Sequence, residues 1–371
     1  MRIALLHPTY WPEVRRGSER VVHDLGVTLA AGGHEVTLIT SHRGPARTAI
    51  EEGMRVVRAR RPPSPPGSGV YEYHLVNAPN VAAHLRRGAF DVVHAFFGVD
   101  AWVAVRLRRL GGPPVIATLH GIPTRRYLVA RRYRLEMLRA VAAGADECTV
   151  LSEAAADHFR RYLLREPHVL APGVATGAFA SDGGAPPAEP EPALFCPASL
   201  GDPRKRGELL ITAFGELRRR RPRLRLLLAG GRDPVMSGPE PAPVDGIEAI
   251  DVASTPALAS AYARSSATVL PSVEEAFGLV LVESLAAGTP VVAARSGAGA
   301  EIVTDERIGR LFEADDEADL ARAIEGAIEL AADAETPARC RERAADYDWS
   351  RVIGDYEALY ESVTRPDEAG S

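Results

Sequence analysis

Residues 271–292 read Pro-Ser-Val-Glu-Glu-Ala-Phe-Gly-Leu-Val-Leu-Val-Glu-Ser-Leu-Ala-Ala-Gly-Thr-Pro-Val-Val. An apolar run ends at Pro271, a stretch of helical character covers residues 279–287, and a second apolar run begins at Pro290. Gly288 is the residue type that commonly ends a helix. The segment therefore predicts a strand, a loop, a helix and a further strand, which is the repeating unit of a parallel α/β sheet.

The two glutamates of this segment have different positions relative to the helix. Glu275 lies in the loop at the end of the strand, and Glu283 lies about one turn inside the helix. A helix start offers backbone N–H groups and a positive dipole end, which suit an anion. Carboxylates repel phosphate but accept hydrogen bonds from hydroxyl groups. The arrangement suits a diphosphate placed between a sugar and a ribose; the alternative is an ordinary turn with one capping and one solvent-facing glutamate.

The alternation of strand and helix patterns extends over the whole chain. It begins with an apolar strand at residues 2–7 and ends with a helix at residues 350–363. Residues 179–193 are rich in Pro, Gly and Ala, which is typical of a linker, and the alternation restarts at Leu194. We therefore predict an α/β protein with two Rossmann-like, doubly wound domains. The predicted limits are residues 1–178 together with 349–371, a linker at 179–193, and residues 194–348.

Composition narrows the possible partners. The chain has 371 residues, of which 46% are hydrophobic and 25% charged, and these values are typical of a globular protein of two domains. The formal net charge of −5 does not favour nucleic acid. No apolar run is long enough for a transmembrane helix, and the first residues form a strand pattern rather than a signal peptide. Cys148, Cys196 and Cys340 are far apart, which predicts reduced thiols in a cytoplasmic protein without a metal site.

A basic turn precedes the first helix of the second domain. It contains Arg204, Lys205 and Arg206, and Lys205 is the only lysine in the chain. Cations oppose the dipole at a helix start, so a bound anion such as a diphosphate explains them better than the helix does. The alternative is a solvated basic turn. Arg232 follows a Gly-Gly pair after the next strand, where it could contact a nucleotide base or phosphate.

The first domain also has candidates at the ends of its strands, where ligands of open α/β sheets bind. His120 follows one such strand, and His94, at another strand end, is a candidate lining residue. Arg15, Arg16 and Arg20 follow the first strand and could bind an acidic acceptor, or Arg20 could simply be solvated. Further candidates in these loops are Gly17, Ser18 and Ser152.

The pattern Pro-Ser-x-x-Glu-x-Phe-Gly-Leu-x-x-x-Glu-x-x-Ala-x-Gly-Thr-Pro-Val-Val at residues 271–292 resembles that of the retaining GT-B glycosyltransferases of family 4. The similarity extends over nearly the whole chain. It implies a GT-B fold in which two domains face a deep cleft and the C-terminal helix crosses back to the first. It implies transfer of a hexose-type sugar from a nucleoside diphosphate sugar to a hydroxyl acceptor, by a front-face mechanism without metal or other cofactor.

The resemblance also implies roles for single residues. Glu275 would contact the donor sugar, Glu283 the ribose, and His120 the sugar near its primary hydroxyl. Lys205 would neutralise the leaving diphosphate. Ser199 stands where the family usually has an arginine, so Arg204 or Arg206 would supply the second cation. The remaining donor-side residues are Phe277, Gly278, Leu279 and Val280, and those on the acceptor side or lining the cleft are Gly17, Ser18, Arg20, His94 and Ser152.

Two other functions fit the same residues. One is a non-hydrolysing nucleotide-sugar epimerase of GT-B fold; the other is an inactive nucleotide-sugar-binding partner, which Ser199 favours. Residues 125–139 mix arginines with aromatic and aliphatic side chains, as in a segment that touches an anionic membrane surface, or as in a solvated helix of an Arg-rich protein. We therefore expect a cytoplasmic protein that could associate peripherally with the inner face of the membrane. The acceptor could be lipid-linked, a polysaccharide or a small molecule.

Overall fold

The computed structural model describes residues 1–62, 75, 77–180, 192–198, 200, 202–230 and 245–365. Contacts divide the chain into two compact units, Met1–Gly173 with Val352–Ser371, and Val174–Arg351. The second unit thus begins ahead of the predicted linker, most of which lies outside the described residues. The domain limits proposed from composition stay a prediction.

The first unit is built on an eight-stranded sheet. Its strands are β1 (Arg2–Leu6), β2 (Glu35–His42), β3 (Arg47–Glu51), β4 (Met54–Arg60), β5 (Val92–Ala95), β6 (Val115–Leu119), β7 (Glu147–Val150) and β8 (His168–Val169). Their order is β3-β4-β2-β1-β5-β6-β7-β8, and only the pairing of β3 with β4 is antiparallel. The described helices are α1 (Gly17–Ala31), α2 (Ala78–Arg87), α3 (Gly98–Arg108), α4 (Arg125–Val129), α5 (Arg132–Gly144) and α6 (Glu153–Leu163).

The core of this unit follows from its apolar runs. Residues 3–6 of β1 are fully buried, as expected for a central parallel strand covered on both faces. Helix α1 packs close to the sheet because Gly26 carries no side chain: a Cβ atom there would lie 2.2 Å from Sδ of Met54. Strands β1 and β5 are adjacent and parallel, so their carboxyl ends meet at one edge of the sheet.

The second unit contains a six-stranded parallel sheet. Its strands are β9 (Ala193–Cys196), β10 (Arg225–Gly230), β11 (Ile247–Asp251), β12 (Ala267–Leu270), β13 (Val291–Ala294) and β14 (Gly309–Phe312). The order is β11-β10-β9-β12-β13-β14, so the chain proceeds from β9 towards one edge and from β12 towards the other. Its helices are α7 (Gly207–Arg220), α8 (Thr255–Ala263), α9 (Leu279–Ala286), α10 (Gly299–Ile302), α11 (Glu317–Ala331) and α12 (Thr336–Ala345).

The last helix, α13 (Trp349–Thr364), belongs to both units. Its residues up to Arg351 group with the second unit, and those from Val352 group with the first. In the first unit its Tyr360 hydroxyl is 2.8 Å from Nδ1 of His94 on β5. The predicted crossing of the C-terminal helix to the first domain is therefore confirmed. None of the helices in the described ranges is long and apolar enough to span a membrane.

The structure differs from the sequence-based expectation in five places. Strands β3 and β14 and helices α10 and α12 were not expected. The sequence pattern of residues 125–143 predicts a single helix, but the structure has two, α4 and α5, because Arg131 adopts an extended conformation with φ −138° and ψ 129°. Strand β3 escaped prediction because it lies at the edge of the sheet, where few of its side chains are buried and the apolar pattern is weak.

Candidate active site

An ion pair lies at the switch point of the second sheet. Lys205 ends a short 3-10 turn (Pro203–Lys205) that follows β9, and Glu275 lies in the loop after β12. Nζ of Lys205 donates to Oε2 of Glu275 at 2.7 Å, and the two side chains are only 25% and 22% exposed. Because the chain leaves β9 and β12 in opposite directions, their carboxyl ends form the crevice in which ligands of open α/β sheets bind.

The backbone of Glu275 is held in place by the loop after β13. The Ala298 N–H donates to the carbonyl of Glu275 at 3.0 Å. Gly297 has φ +73°, and a Cβ atom there would lie 2.7 Å from the Glu275 carbonyl oxygen and 2.8 Å from its nitrogen. Only glycine fits this close approach without a shift of the backbone. Three neighbouring strands thus fix the position of the Glu275 carboxylate.

The start of α9 has the features of the expected anion cradle. Gly278 precedes the helix with φ +90°, no side chain caps it, and its first turn contains no acidic residue. The first N–H groups of a helix have no partner within the helix, so this end can bind an anion. Leu279 and Val280 are half-buried there. Phe277 instead packs inward, with its ring edge-to-face with Tyr347 at 5.3 Å between centroids.

Glu283 is placed differently from Glu275. It is fully buried on α9, and its Oε2 accepts a hydrogen bond of 2.8 Å from the hydroxyl of Tyr262, which is also fully buried. A buried carboxylate needs such donors to offset its desolvation. The side chain expected to contact a ribose therefore lies beneath the surface, held by α8.

The basic turn does not carry uncompensated charge, contrary to the argument from the helix dipole alone. Each of its three cations has a carboxylate partner. Arg204 contacts Asp202 at 2.6 Å, Lys205 contacts Glu275, and Arg206 contacts Asp315 at 2.7 Å. The sequence argument missed this balance because two of the partners lie 70 or more residues away. Ser199 and Arg232 lie outside the described residues.

His120 lies in the first unit, directly after β6. Its ring is edge-to-face with Phe96 at 5.4 Å, and within the described part of the chain its buried Nε2 has no hydrogen-bond partner. Burial, with a smaller contribution from His7, lowers the pKa of His120 to about 3. The imidazole is therefore neutral at physiological pH, and it can exchange a hydrogen bond with a ligand without carrying charge.

His7 is a candidate that the sequence reasoning missed. It follows β1 and is 3% exposed, and its Nδ1 lies 2.6 Å from the carbonyl oxygen of Thr9. Burial lowers its pKa. The signal available in the sequence was its position at the end of the first strand, the same signal that singled out His120.

His94 is enclosed rather than open to a ligand. It is fully buried, with Nδ1 bound to the Tyr360 hydroxyl and Nε2 2.5 Å from Oγ1 of Thr118. Burial lowers its pKa well below the usual range. Its ring lies 4.0 Å from that of Phe96, between centroids, so His94 supports the strand end from beneath instead of lining a surface.

The remaining first-unit candidates lie at helix starts. Gly17 is exposed at the first position of α1, and the Ser18 hydroxyl donates to Oε2 of Glu19 at 3.0 Å. Arg20 is half-buried in the same helix. Ser152 is buried and caps α6, its Oγ accepting the Ala155 N–H at 3.2 Å. The described residues include no group of three or more His, Cys, Asp or Glu side chains arranged to hold a metal ion.

Comparison with known proteins shows the family and the fold of the chain. Residues 15–177 match the family model described as Glycosyltransferase Family 4, and residues 191–329 match that described as Glycosyl transferases group 1. The chain superposes on sucrose-phosphate synthase from Thermosynechococcus elongatus with a TM-score of 0.84 at 25% identity, covering 98% of both chains.

Two curated relatives are similar in sequence. A phosphatidyl-myo-inositol mannosyltransferase of Propionibacterium freudenreichii subsp. shermanii is 27% identical, over 97% of this chain and 94% of the relative. A GDP-mannose-dependent alpha-(1-6)-phosphatidylinositol monomannoside mannosyltransferase of Mycolicibacterium smegmatis is 30% identical, over 65% of this chain and 69% of the relative. Both halves of the chain, its fold and its relatives thus agree: the protein is a glycosyltransferase and belongs to the GT-B enzymes of family 4, the group 1 glycosyl transferases.

Proposed function

We propose that this glycosyltransferase moves a hexose-type sugar from a nucleoside diphosphate sugar to a hydroxyl acceptor, with retention of the anomeric configuration. The observation that carries the proposal is the Lys205–Glu275 pair, 2.7 Å long, at the switch point of the second sheet and close in sequence to the uncapped start of α9. A diphosphate sugar requires three kinds of group: a cation and an anion-binding helix end for its diphosphate, and a carboxylate that accepts hydrogen bonds from its hydroxyl groups.

Lys205 and the start of α9 act on the leaving group. Negative charge develops on the diphosphate as its bond to the sugar breaks, and fixed donors at that place lower the barrier. Glu275 holds Lys205 in position and accepts hydrogen bonds from sugar hydroxyls. We assign Glu283 to the ribose, the role that the resemblance implies, and this requires its buried carboxylate to become reachable when the nucleotide binds.

The proposed chemistry is a front-face displacement. The acceptor oxygen forms a bond to the anomeric carbon while the bond from that carbon to the diphosphate oxygen breaks. The departing diphosphate takes the proton of the acceptor hydroxyl, so attack and departure occur on the same face and the configuration is retained. For His120 we propose a neutral hydrogen bond to the donor sugar. No metal is assigned a role, because Lys205 and α9 supply the positive potential.

The names of the relatives guide the choice of donors. One relative is described as GDP-mannose-dependent, and another as a mannosyltransferase. GDP-mannose and UDP-glucose are therefore the first donors to test. A true donor raises the melting temperature by mass action, by an amount that grows with the logarithm of its concentration.

The test combines binding with turnover. We expect one sugar nucleotide of a panel to stabilise the protein and to be consumed in the presence of an acceptor, giving a product with the donor's anomeric configuration. Consumption should fall by about 100-fold or more in Lys205→Met, because the leaving charge loses its cation. Formation of an epimer from the sugar nucleotide alone would instead identify an epimerase. Full transfer by Lys205→Met or Glu275→Ala would refute the site assignment.

We also propose peripheral membrane contact through residues 125–139. In this segment Val129 is 58% and Tyr133 37% exposed, and Arg125 and Arg126 are exposed as well. Basic and apolar side chains on one surface favour anionic lipid headgroups. Co-sedimentation with anionic vesicles should exceed that with neutral vesicles, and Arg125→Gln with Arg126→Gln should reduce it. Equal binding to both kinds of vesicle would contradict this contact.

A further inference from the structure

The loop after β1, residues 8–16, is contacted by His23 of helix α1. The loop begins at the carboxyl end of β1, and β1 pairs with β2 on one side and with β5 on the other. Strands β2 to β4 lie on the first side and strands β5 to β8 on the second, so this end of β1 is the switch point at which an open α/β sheet binds ligands. The position of the loop therefore bears on substrate binding.

The ring of His23 is stacked on the ring of Trp11 in this loop. Their centroids are 3.9 Å apart and their planes are inclined by 24°. The ring of Tyr10 is also stacked on His23, less closely, at 6.1 Å. His23 is only 9% exposed, so water screens these contacts weakly. An imidazolium is attracted to the face of an indole by its charge, which a neutral imidazole lacks.

Both ring nitrogens of His23 face carboxylates. Nδ1 is 2.9 Å from Oδ1 of Asp24, and Nε2 is 3.3 Å from Oε1 of Glu52, in the turn between β3 and β4. An ionised carboxylate only accepts hydrogen bonds, and a neutral imidazole has a single N–H to donate. The imidazolium has two N–H groups and satisfies both contacts at once. The arrangement of these partners therefore favours the charged form of His23.

The other charged groups that face His23 are largely paired with one another. Glu51, next to Glu52, makes a two-toothed contact with Arg58 on β4. From the loop, the Arg15 guanidinium lies over the Trp11 ring, 4.9 Å from its centroid. These two arginines therefore act on Glu51 and on Trp11, and they leave the contacts of His23 in place.

On α1 itself, Glu19 and Arg20 lie about one turn before His23. Glu19 is buried and accepts hydrogen bonds from the hydroxyl groups of Thr9 and Ser18, and Arg20 is half-buried. Because these two residues carry opposite charges, together they favour neither protonation state. The two carboxylates that touch the His23 ring are left to decide it.

The pKa of His23 is raised above its usual value of 6.5. Burial lowers the pKa, but the hydrogen bonds and charges of Asp24 and Glu52 outweigh burial. Because the pKa is higher in the folded than in the unfolded chain, protonation of His23 stabilises the fold below pH 6.5. This contribution is lost as pH rises through the folded pKa.

We propose that His23 is a positioning residue for the transfer: as an imidazolium it holds Trp11, and with it the loop after β1, against α1 and the turn between β3 and β4. Loss of the proton removes the attraction to the indole and leaves one of the two carboxylates without a donor, so the loop is released. Arg58 donates to the Trp11 carbonyl at 2.8 Å, which secures the backbone but does not replace the contact with the ring. The effect on turnover rests on the proposed function, whereas the state of His23 is measurable without substrate.

An NMR titration of the histidine rings in the full chain tests the protonation. A signal that is absent from His23→Gln should titrate with a midpoint above pH 6.5. The part of the tryptophan fluorescence that is absent from Trp11→Phe should change with the same midpoint. Because the Glu52 side chain is 62% exposed, Glu52→Gln should lower both midpoints by about 0.2–0.7 of a pH unit, the equivalent of an exposed ion pair. A midpoint at or below 6.5, or a Trp11 signal that does not follow His23, would overturn the inference.

Turnover separates positioning from mere stabilisation. In the wild type, kcat/KM should fall about fivefold as pH rises through the midpoint, the equivalent of a cation–π contact and an exposed ion pair. His23→Gln should have the low value on both sides of the midpoint, and His23→Arg, which stays charged, the high value. If a lowered melting temperature shows that arginine does not fit, Glu52→Gln serves instead, and its fall in kcat/KM should move to lower pH with its midpoint.

His34→Gln is the matched control. His34 is also largely buried and lies 3.1 Å from a carboxylate, that of Glu357, but it precedes β2 at the amino end of the sheet. This variant should keep the pH profile of the wild type. If His23→Gln also kept it, the positioning role would be refuted. Absence of transfer with every sugar nucleotide would contradict the proposed function alone, since the titration and the fluorescence would still decide the state of His23.

Discussion

Replacing Lys205 with Met and Glu275 with Gln, singly and together, separates the contribution of this ion pair to folding from its contribution to catalysis. The two side chains contact at 2.7 Å and are 25% and 22% exposed. Either single change leaves the other group about three-quarters buried without its partner. The double change removes both groups, so it should cost less stability than the sum of the two single changes.

The expected size of the coupling free energy between Lys205 and Glu275 follows from the burial of the pair. At an effective dielectric constant of about 20, two unit charges at this distance attract each other by about 6 kcal/mol, most of which desolvation offsets. Exposed pairs contribute about 0.2–1 kcal/mol, and breaking a fully buried pair costs about 3–5 kcal/mol. For a pair buried to this degree we expect a coupling free energy of about 1–2 kcal/mol.

Urea unfolding of the four proteins gives the coupling, and donor turnover gives the catalytic effect. The double variant should recover part of the stability and none of the activity, because in the proposed mechanism Lys205 and Glu275 act on the substrate as well as on each other. Arg225 and Glu248, which contact at 2.8 Å near the amino end of β10, form the control pair. Their replacement by Gln should leave turnover unchanged. A coupling below about 0.3 kcal/mol, within the error of such cycles, would refute the reasoning, and so would a double variant with wild-type turnover.

Three further predictions concern the packing around the candidate site. Gly297→Ala should destabilise the second unit by about 2–4 kcal/mol in urea unfolding and reduce turnover, because the new Cβ atom meets the backbone of Glu275. Tyr262→Phe should cost about 1–3 kcal/mol of unfolding free energy, since it removes a donor from the buried Glu283. The pKa of His120 in the folded protein, about 3, lies below its ordinary value of 6.5. As pH falls below 6.5 the unfolded chain therefore binds the proton first, and the free energy of unfolding decreases. Because His120→Gln removes this group, the variant should lose about 1–2 kcal/mol less unfolding free energy than the wild type between pH 6.5 and 5.

Each of these predictions has a control or a contrary result. Gly177→Ala, at a site with no heavy atom within 4 Å of the added Cβ, should leave the urea midpoint unchanged. Tyr133→Phe, at an exposed tyrosine, should likewise be neutral. Equal loss of stability by the wild type and His120→Gln on acidification would show that His120 titrates normally in the folded protein.

The elements that the sequence predicted well are those whose pattern is local. Helix α9 was expected at residues 279–287 and is found at Leu279–Ala286. The preceding strand, its loop and the stop at Gly288 also lie where their apolar runs and turn residues indicate. Such runs are strong signals because central parallel strands are buried on both faces.

The environment of each site residue was much less predictable. His120 and His94 both lie at strand ends and look alike in sequence. Among the residues that the structure describes, however, Nε2 of His120 has no partner, whereas both ring nitrogens of His94 are bound. The partner of His94, Tyr360, is 266 residues away. Likewise Glu275 and Glu283 belong to one motif, but one is partly exposed and the other is enclosed by α8.

The sequence by itself determined the order of the elements, the family and the short list of polar residues at strand ends, because these depend on neighbours along the chain. Only the tertiary structure decided which carboxylate neutralises Lys205, why residue 297 must be glycine and why His120 is neutral. Ion pairing, steric contact and desolvation act through space between residues far apart in sequence, so they exist only once the strands are paired and the helices are packed on them.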